Sequence, residues 1–358
     1  MKVILDNIIF SLQKAGGISV YWSELLSRLK DDKYGCSVFE SKNDNIFRAG
    51  LELKNTAHEI LPVKILRYLP FTKGLSPKSI FHSSYYRISL QKNVANITTV
   101  HDFTYEYFKS GLPRLVHSWQ KRLAIKSSDG IICVSENTKN DLLSFYPDID
   151  QGLIKVIYNG VSEDFYLDHE AARLLEKFFP DLVKKRYLLF VGDRSAYKNF
   201  NVVVDVLKSL KDFYLVIVGG GRLNPKELNF IAGYETRVKI FQGIDNATLN
   251  ALYNNAFCLV YPSSYEGFGI PVLEAMRAGC PVVGTSFSSI PEVSGEAGLL
   301  IDNISADKVI EKLVQLENGA FRDKIISKGL AQSAKFSWDK CFNETLGFYQ
   351  EIYDKKFK

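Results

Sequence analysis

Short apolar runs rich in Val and Ile recur along the chain, and each gives way to a polar loop and then to a helical pattern. In the first half they are Val3–Phe10, Cys36–Phe39, Ser79–His82, Ile97–His101, Gly130–Val134 and Ile154–Tyr158. In the second half they are Tyr187–Val191, Tyr214–Val218, Val238–Phe241, Phe257–Tyr261, Pro281–Gly284 and Gly298–Ile301. Runs this apolar suit strands buried on both faces, which is the habit of parallel sheets. Their alternation with helices implies βαβ units and a doubly wound α/β fold. A chain of 358 residues exceeds one ordinary core. Two Rossmann-like domains facing across a cleft are therefore expected. The polar stretch from about Gly160 to Arg186 marks the boundary, giving domains 1–165 and 166–336. An amphipathic helix from Ser337 to Tyr353, within 337–358, closes the chain.

Composition narrows the functional classes. Net charge is +5, and residues 1–165 carry 21 Lys/Arg against 17 Asp/Glu. That is far short of a nucleic-acid stripe. It suits either an ordinary solvated surface or weak contact with an anionic membrane. The segment Leu61–Lys73 mixes apolar and basic residues and has the same two readings. The apolar stretch before Asp6 is too short for a signal peptide, and no run is long enough for a membrane span. Five widely spaced cysteines without a C-x-x-C read as reduced thiols of a cytoplasmic protein.

Ligands in doubly wound sheets sit beyond the carboxyl ends of strands, so the loops there carry the chemistry. After Tyr261 comes a loop with Gly267, Phe268 and Gly269, then a helix opened by Pro271 and stopped near Gly279. Glycines bare their amides and a helix N-terminus favours an anion, so a diphosphate fits. Glu266 and Glu274 suit sugar hydroxyls, which need acceptors. Glu274 is expected in the first turn of that helix. After Val191, Gly192 gives backbone room, and Arg194 and Lys198 place two cations at a helix start, which is unfavourable unless an anion binds there. Gly16 and Gly17 form a similar strand–loop–helix entry in the first half. His101 and Asp102 follow a buried strand, where a histidine can relay a proton. Gly219 follows another strand and allows close approach. The segment Phe241–Asp245, with Ile244, offers backbone groups to a nucleobase edge. No P-loop, nucleophile elbow or HExxH occurs, and Asp148 and Asp150 read as a turn rather than a metal motif.

Taken together, Glu266-x7-Glu274, the Arg194…Lys198–Asn199 loop, Gly16–Gly17–Ile18 and His101–Asp102 resemble glycosyltransferase family 4, over nearly the whole chain. The segments Val134–Thr138, Ile157–Val161 and Phe336–Trp338 are also similar to that family. The resemblance implies a retaining GT-B enzyme, with an acceptor-side first domain, a nucleotide-sugar-binding second domain and a terminal helix crossing back to the first. It implies that Glu274 binds the donor ribose and Glu266 the donor-sugar hydroxyls. Amides of Gly267, Phe268 and Gly269 lie near the sugar and diphosphate. On the same resemblance Arg194 and Lys198 would bind the diphosphate, Gly17 would approach it, His101 would touch the donor sugar, and Asp102 would orient the acceptor. Val20 departs from the basic residue many relatives carry, so no cationic contact is carried over to it. The expected partners are a nucleotide-sugar donor, with GDP-mannose slightly favoured, and a glycan acceptor, lipid-linked or free, in surface polysaccharide or O-antigen synthesis. No cofactor or metal is expected, nor any nucleic acid. The expected place is cytoplasmic, with the inner membrane face as an option. A nucleotide-sugar epimerase and a non-catalytic binding subunit remain as alternatives.

Overall fold

The computed structural model describes residues 1–29 and 35–358, which divide into two compact units. One comprises Met1–Gly160 with Trp338–Lys358, and the other Val161–Ser337. The first holds strands β1 (Lys2–Asp6), β2 (Ser37–Glu40), β3 (Thr56–His58), β4 (Ser79–Ser83), β5 (Val94–Val100), β6 (Gly130–Cys133) and β7 (Ile154–Val156). They form one parallel sheet in the order β3-β2-β1-β4-β5-β6-β7. The second unit holds β8 (Arg186–Val191), β9 (Phe213–Val218), β10 (Val238–Phe241), β11 (Cys258–Tyr261), β12 (Val282–Thr285) and β13 (Gly298–Ile301). Its parallel order is β10-β9-β8-β11-β12-β13.

Helices cover both faces of each sheet, so a central strand such as β5 is buried along its whole length. That strand still carries polar residues, and their groups are paired. Ser128 Oγ donates to Thr98 Oγ1 at 2.6 Å, and Asn96 Oδ1 accepts from the Ser89 amide at 2.8 Å. Pairing removes most of the cost of burying them.

The structure departs from the sequence reading at three places. The run Val3–Phe10 leaves the sheet after Asp6, and Ile9–Leu12 makes a helical turn whose first amide donates to Ser84 Oγ at 2.9 Å. Ile8, Ile9 and Phe10 are buried all the same, so their apolarity reported burial rather than extended chain. The edge strand β3 has no apolar run to announce it, and it pairs only with β2. The terminal helix runs on to Phe357, spanning Trp338–Phe357. It packs on the first unit's own sheet, where Phe348 and Ile352 would meet any Cβ added at Gly130.

In both sheets the strand order reverses beside the first strand, between β1 and β4 and between β8 and β11. Diverging connections leave a crevice at such a point, beyond the strands' carboxyl ends.

Candidate functional site

In the second unit the loops after β8 and β11 meet at that crevice. They are stitched together by backbone and by one side chain. The Ser264 amide donates to the Tyr197 carbonyl at 2.7 Å. Asn199 Nδ2 lies 2.9 Å from the Pro262 carbonyl and 2.8 Å from Ser264 Oγ. Asn199 itself sits in the left-handed region at φ +50, a conformation asparagine tolerates better than most residues, and the Phe200–Ser209 helix starts from it. This stitching brings Lys198 Nζ to 2.8 Å from Glu266 Oε1, with the Tyr261 hydroxyl at 3.5 Å. Lys198 is only 8% exposed. Burial alone would push its ammonium towards the neutral form, but the Glu266 carboxylate outweighs this and raises the pKa. Lys198 is thus a fixed cation at the switch point.

Glu266 is held by its backbone. Its amide donates to Ser288 Oγ at 2.7 Å, and its carbonyl accepts from the Ser288 and Ser289 hydroxyls, each at 2.9 Å. Gly269, at φ +99, turns the chain into the Ile270–Arg277 helix, with Pro271 in its first turn. Glu274 lies in the second turn of this helix, not the first, so it does not serve the helix dipole in the expected way. It accepts a 2.9 Å hydrogen bond from the Tyr253 hydroxyl on Oε2. Loss of water around this carboxyl pushes its pKa up to about 7, an effect the Tyr253 bond opposes. Such a group is ready for hydroxyl partners. The Phe268 ring is buried with Phe336 at 5.9 Å between centroids, and its carbonyl accepts from the Ser289 hydroxyl at 2.9 Å.

Arg194 is placed differently from Lys198. Its Nη1 donates to the Gly219 carbonyl at 2.9 Å, and its Nη2 lies 2.9 to 3.1 Å from the carbonyls of Gly220, Gly221 and Arg222. Its Nε lies 3.1 Å from Glu227 Oε1. The fork therefore braces the glycine turn after β9 instead of pointing at an open anion site. A Cβ at Gly220 would run into this guanidinium, which explains the glycine there. The amides of Gly192 and Gly219 continue the sheet ladder to the Val218 and Phe241 carbonyls, both at 2.9 Å. Ile244 is half-buried beyond β10, next to Asp245, which caps the following helix through the Thr248 amide.

The first unit places His101 and Asp102 just after β5, and Gly16 and Gly17 at the start of the Gly17–Leu29 helix. The edge of the Tyr21 ring lies against His101, with centroids 5.0 Å apart. Burial lowers the His101 pKa to about 4, so its imidazole is neutral near pH 7. Tyr21 is in turn held from beneath. Its hydroxyl lies 3.3 Å from Thr99 Oγ1, which lies 2.9 Å from His82 Nε2, while His82 Nδ1 lies 2.5 Å from the Tyr349 hydroxyl of the terminal helix. Asp102 Oδ1 accepts from the Thr104 amide at 2.9 Å, and its carbonyl accepts from buried Lys121 at 2.8 Å. At Gly16 a Cβ would meet the Gln13 side chain, whereas at Gly17 it would meet nothing within 4 Å. Among the described residues nothing around Gly17 requires a glycine, which fits close approach by a ligand. Asp150 accepts from the Gly152 amide at 2.9 Å, as a turn residue does.

The sequence reading did not find Ser288, Ser289, Tyr253 or Tyr21. Ser288 and Ser289 follow a strand that carries no motif, and Tyr253 and Tyr21 sit inside helices as core-like aromatics.

Two family models match the chain, glycosyl transferases group 1 over residues 175–332 and glycosyltransferase family 4 over residues 15–165. The chain is 26% identical to an uncharacterized glycosyltransferase of Methanocaldococcus jannaschii, covering 99% of each. It is 29% identical to the O-antigen chain mannosyltransferase B of Escherichia coli, covering 71% of this chain and 70% of that one. Among solved structures it resembles HepE of Anabaena in complex with UDP-glucose, with a TM-score of 0.75 at 17% identity over 99% of both chains. At that identity the likeness is one of fold.

Proposed function

The chain belongs to the family 4-like glycosyltransferases of the GT-B fold, and from that premise we propose that it moves a hexose from a nucleotide-diphosphate sugar to a glycan acceptor with retention of anomeric configuration. The observation that carries this is the Lys198–Glu266 pair at the β8/β11 switch point, with the Glu274 carboxyl, its pKa raised, in the second turn of the helix that follows. A diphosphate and a sugar need a cation and a hydroxyl acceptor side by side, and this pair supplies both. In this reading Glu274 takes the ribose hydroxyls, and Gly16 and Gly17 admit the phosphates without a side chain in the way.

The reaction breaks the bond between the anomeric carbon and the phosphate oxygen. The acceptor hydroxyl attacks from the same face, and its proton passes to the departing phosphate. The products are the glycoside and the nucleoside diphosphate. Lys198 faces the oxygen on which charge develops, and a preorganised cation there lowers the barrier without reorganisation. Arg194 acts from its seat on the glycine turn, and moves to the phosphates only by giving up its carbonyls. Neutral His101 donates to the sugar rather than carrying charge, and Asp102 orients the acceptor. The transfer uses no metal or cofactor in this scheme.

GDP-mannose is the favoured donor, supported by the mannosyltransferase name of the Escherichia coli relative. The same name supports a role in O-antigen or other surface polysaccharide synthesis. The acceptor is a growing, lipid-linked glycan, and the site of action is the cytoplasmic side of the membrane. Nucleoside diphosphate release is to be measured with a panel of nucleotide sugars and acceptors, and the anomeric coupling of the product by NMR. Acceptor-dependent release and a retained anomer are expected. Conversion of donor alone points to an epimerase, donor binding without turnover to a binding subunit, and an inverted product refutes the mechanism.

A further inference from the structure

Residues 60–128 carry 11 Lys/Arg and only two acids, Asp102 and Glu106, for a net +9, although the whole chain is only +5. The remainder of the chain is therefore at −4. Of the two acids, Glu106 is buried and spent on buried Lys121 at 2.8 Å. Arg87, buried on Asp6 at 3.1 Å, and Lys73, 3.9 Å from Glu59, are paired with acids outside the stretch, so the excess that reaches solvent rests on the other cations of this part of the first unit.

The fold puts apolar side chains on the outside of the same stretch. The Gly111–Lys126 helix turns His117, Gln120, Lys121, Ala124 and Ile125 inward. Its outer side carries Leu112 at 72% exposure, Leu115 at 67%, Trp119 at 57% and Leu123 at 39%. A 100° step per residue gathers these four into an arc of about 80°. The exposed cations Arg122 and Lys126 lie within or beside that arc, and Arg114 is exposed in the helix's first turn. The helix contains no Asp or Glu at all. A second segment adjoins it through the bond from Gln120 Nε2 to the Arg67 carbonyl. That segment exposes Ile65, Tyr68 and Leu69 beside the exposed Lys64. Scattered exposed apolar residues need no explanation, but an ordered stripe of them with a cationic fringe does.

We propose that this face, the outer side of the Gly111–Lys126 helix with the 64–69 segment beside it, docks on an anionic membrane surface. Leucines enter the acyl boundary, Trp119 and Tyr68 sit at the headgroup level, and the lysines and arginines meet lipid phosphates. Charge complementarity selects this occupant. A protein partner would need acidic groups to match the fringe, and a second copy of this chain brings the same positive face, which repels. Among the described residues no helix is long and apolar enough to cross a membrane, so the contact is peripheral. The proposal deepens the transferase reading by saying which face meets the lipid-linked acceptor.

Trp119 makes the test direct, because Trp22 and Trp338 are buried and it is the exposed one of the three tryptophans. The full chain is mixed with vesicles of phosphatidylcholine alone and with vesicles containing phosphatidylglycerol, without donor or acceptor. Flotation with the anionic vesicles, a blue shift of Trp119 emission that is absent in Trp119→Phe, and release by about 0.5 M salt are expected. The triple reversal Arg114→Glu, Arg122→Glu, Lys126→Glu lowers partition at least about tenfold. Leu115→Ser lowers it as well, while transfer to a soluble acceptor is kept in both variants. No flotation with anionic vesicles, or flotation unchanged in both variants, overturns the proposal. Self-association that shields Trp119 without vesicle binding also overturns it. Vesicle binding is read without turnover, so its failure leaves the transferase reading standing, and a chain that floats but never transfers fails only that reading.

Discussion

Glu266 and Lys198 neutralise each other in the absence of a ligand, and this gives Glu266→Gln an unusual expected effect. The carboxylate oxygen is 2.8 Å from Nζ. A phosphate oxygen on the far side of the same ammonium, at a similar distance, lies at most about 5.6 Å from that carboxylate oxygen. Two unit charges at this spacing repel by ~3 kcal/mol at an effective dielectric of 20 and ~0.7 kcal/mol in water. The pair's side chains are 10% and 12% exposed, between those limits, so removal of the carboxylate charge should tighten binding of a nucleoside diphosphate by about tenfold. The same change should cut transfer from the full nucleotide sugar by about a hundredfold, because the sugar hydroxyls lose their charged acceptor. Calorimetric titration with the nucleoside diphosphate, set beside kcat/KM for transfer, separates the two effects. The tightening should fade as salt is raised. If Glu266→Gln binds the nucleoside diphosphate no more tightly than the parent chain, Lys198 is not the cation that faces the phosphates and the pair is only structural.

Arg194→Ala releases the carbonyls of residues 219–222 and leaves Glu227 without its cation, so a loss of about 3 kcal/mol in urea unfolding is expected even without ligand. An unchanged stability with lost turnover would instead return Arg194 to a purely ligand-facing role. Glu274 has a folded pKa of about 7 against an ordinary carboxyl value of 4.5, so the fold takes up its proton more readily than the unfolded chain does. Its contribution is fully present below pH 4.5 and is lost as pH rises through 7, by about 3 kcal/mol at most. Glu274→Gln should therefore gain stability over the parent at pH 8 but not at pH 4.5, and weaken binding of ribose-containing nucleotides; equal stability differences at the two pH values count against the buried charge. Gly17→Ala meets no neighbour, so its melting temperature should stay within about 2 °C of the parent. Transfer should nevertheless fall at least about tenfold, as the methyl group occupies phosphate space; full activity in this variant removes the close approach inferred for Gly17.

How much of the fold was legible follows from what an apolar run reports. It reports burial on both faces, and for β8, β9, β11 and β12 burial and extended chain coincide; the edge strands β10 and β13 are only partly buried, yet all six strands lie where the runs do. At Val3–Phe10 the two part company. Asp6 is the last strand residue, and the buried residues after it enter a helical turn. β3 fails for the opposite reason, since an edge strand of Thr, Ala and His needs no buried face to pair with β2. The site was legible wherever a residue type has one physical use at a strand end. Lys198 and Glu266 were both picked out, and their 2.8 Å contact is the outcome of that geometry. Arg194 was picked out for the same reason, but a guanidinium can serve carbonyls as readily as phosphates, and no local pattern says which. Ser288 and Ser289 were invisible because their hydroxyls serve backbone groups that only the fold brings within reach.

The charge distribution shows a different limit, one of window. Counted over residues 1–165, the excess is only +4, which suits an ordinary surface. That sum hides +9 over residues 60–128 behind −5 over residues 129–165. The two stretches cancel in a count, but screening at physiological salt limits the reach of each charge to roughly 8 Å, so a sum over 165 residues says little about any one patch. A surface tens of ångströms across is therefore felt patch by patch by a flat anionic partner, and the net charge of the half is irrelevant to it. Helical spacing has the same property. Leu112, Leu115, Trp119 and Leu123 are unremarkable as composition, and their common outward direction exists only once Gln120, Ala124 and Ile125 are committed to the core. A dedicated inward face thus creates the outward one, and an apolar outward face with cations at its fringe suits the environment we propose for it, the boundary between anionic headgroups and acyl chains.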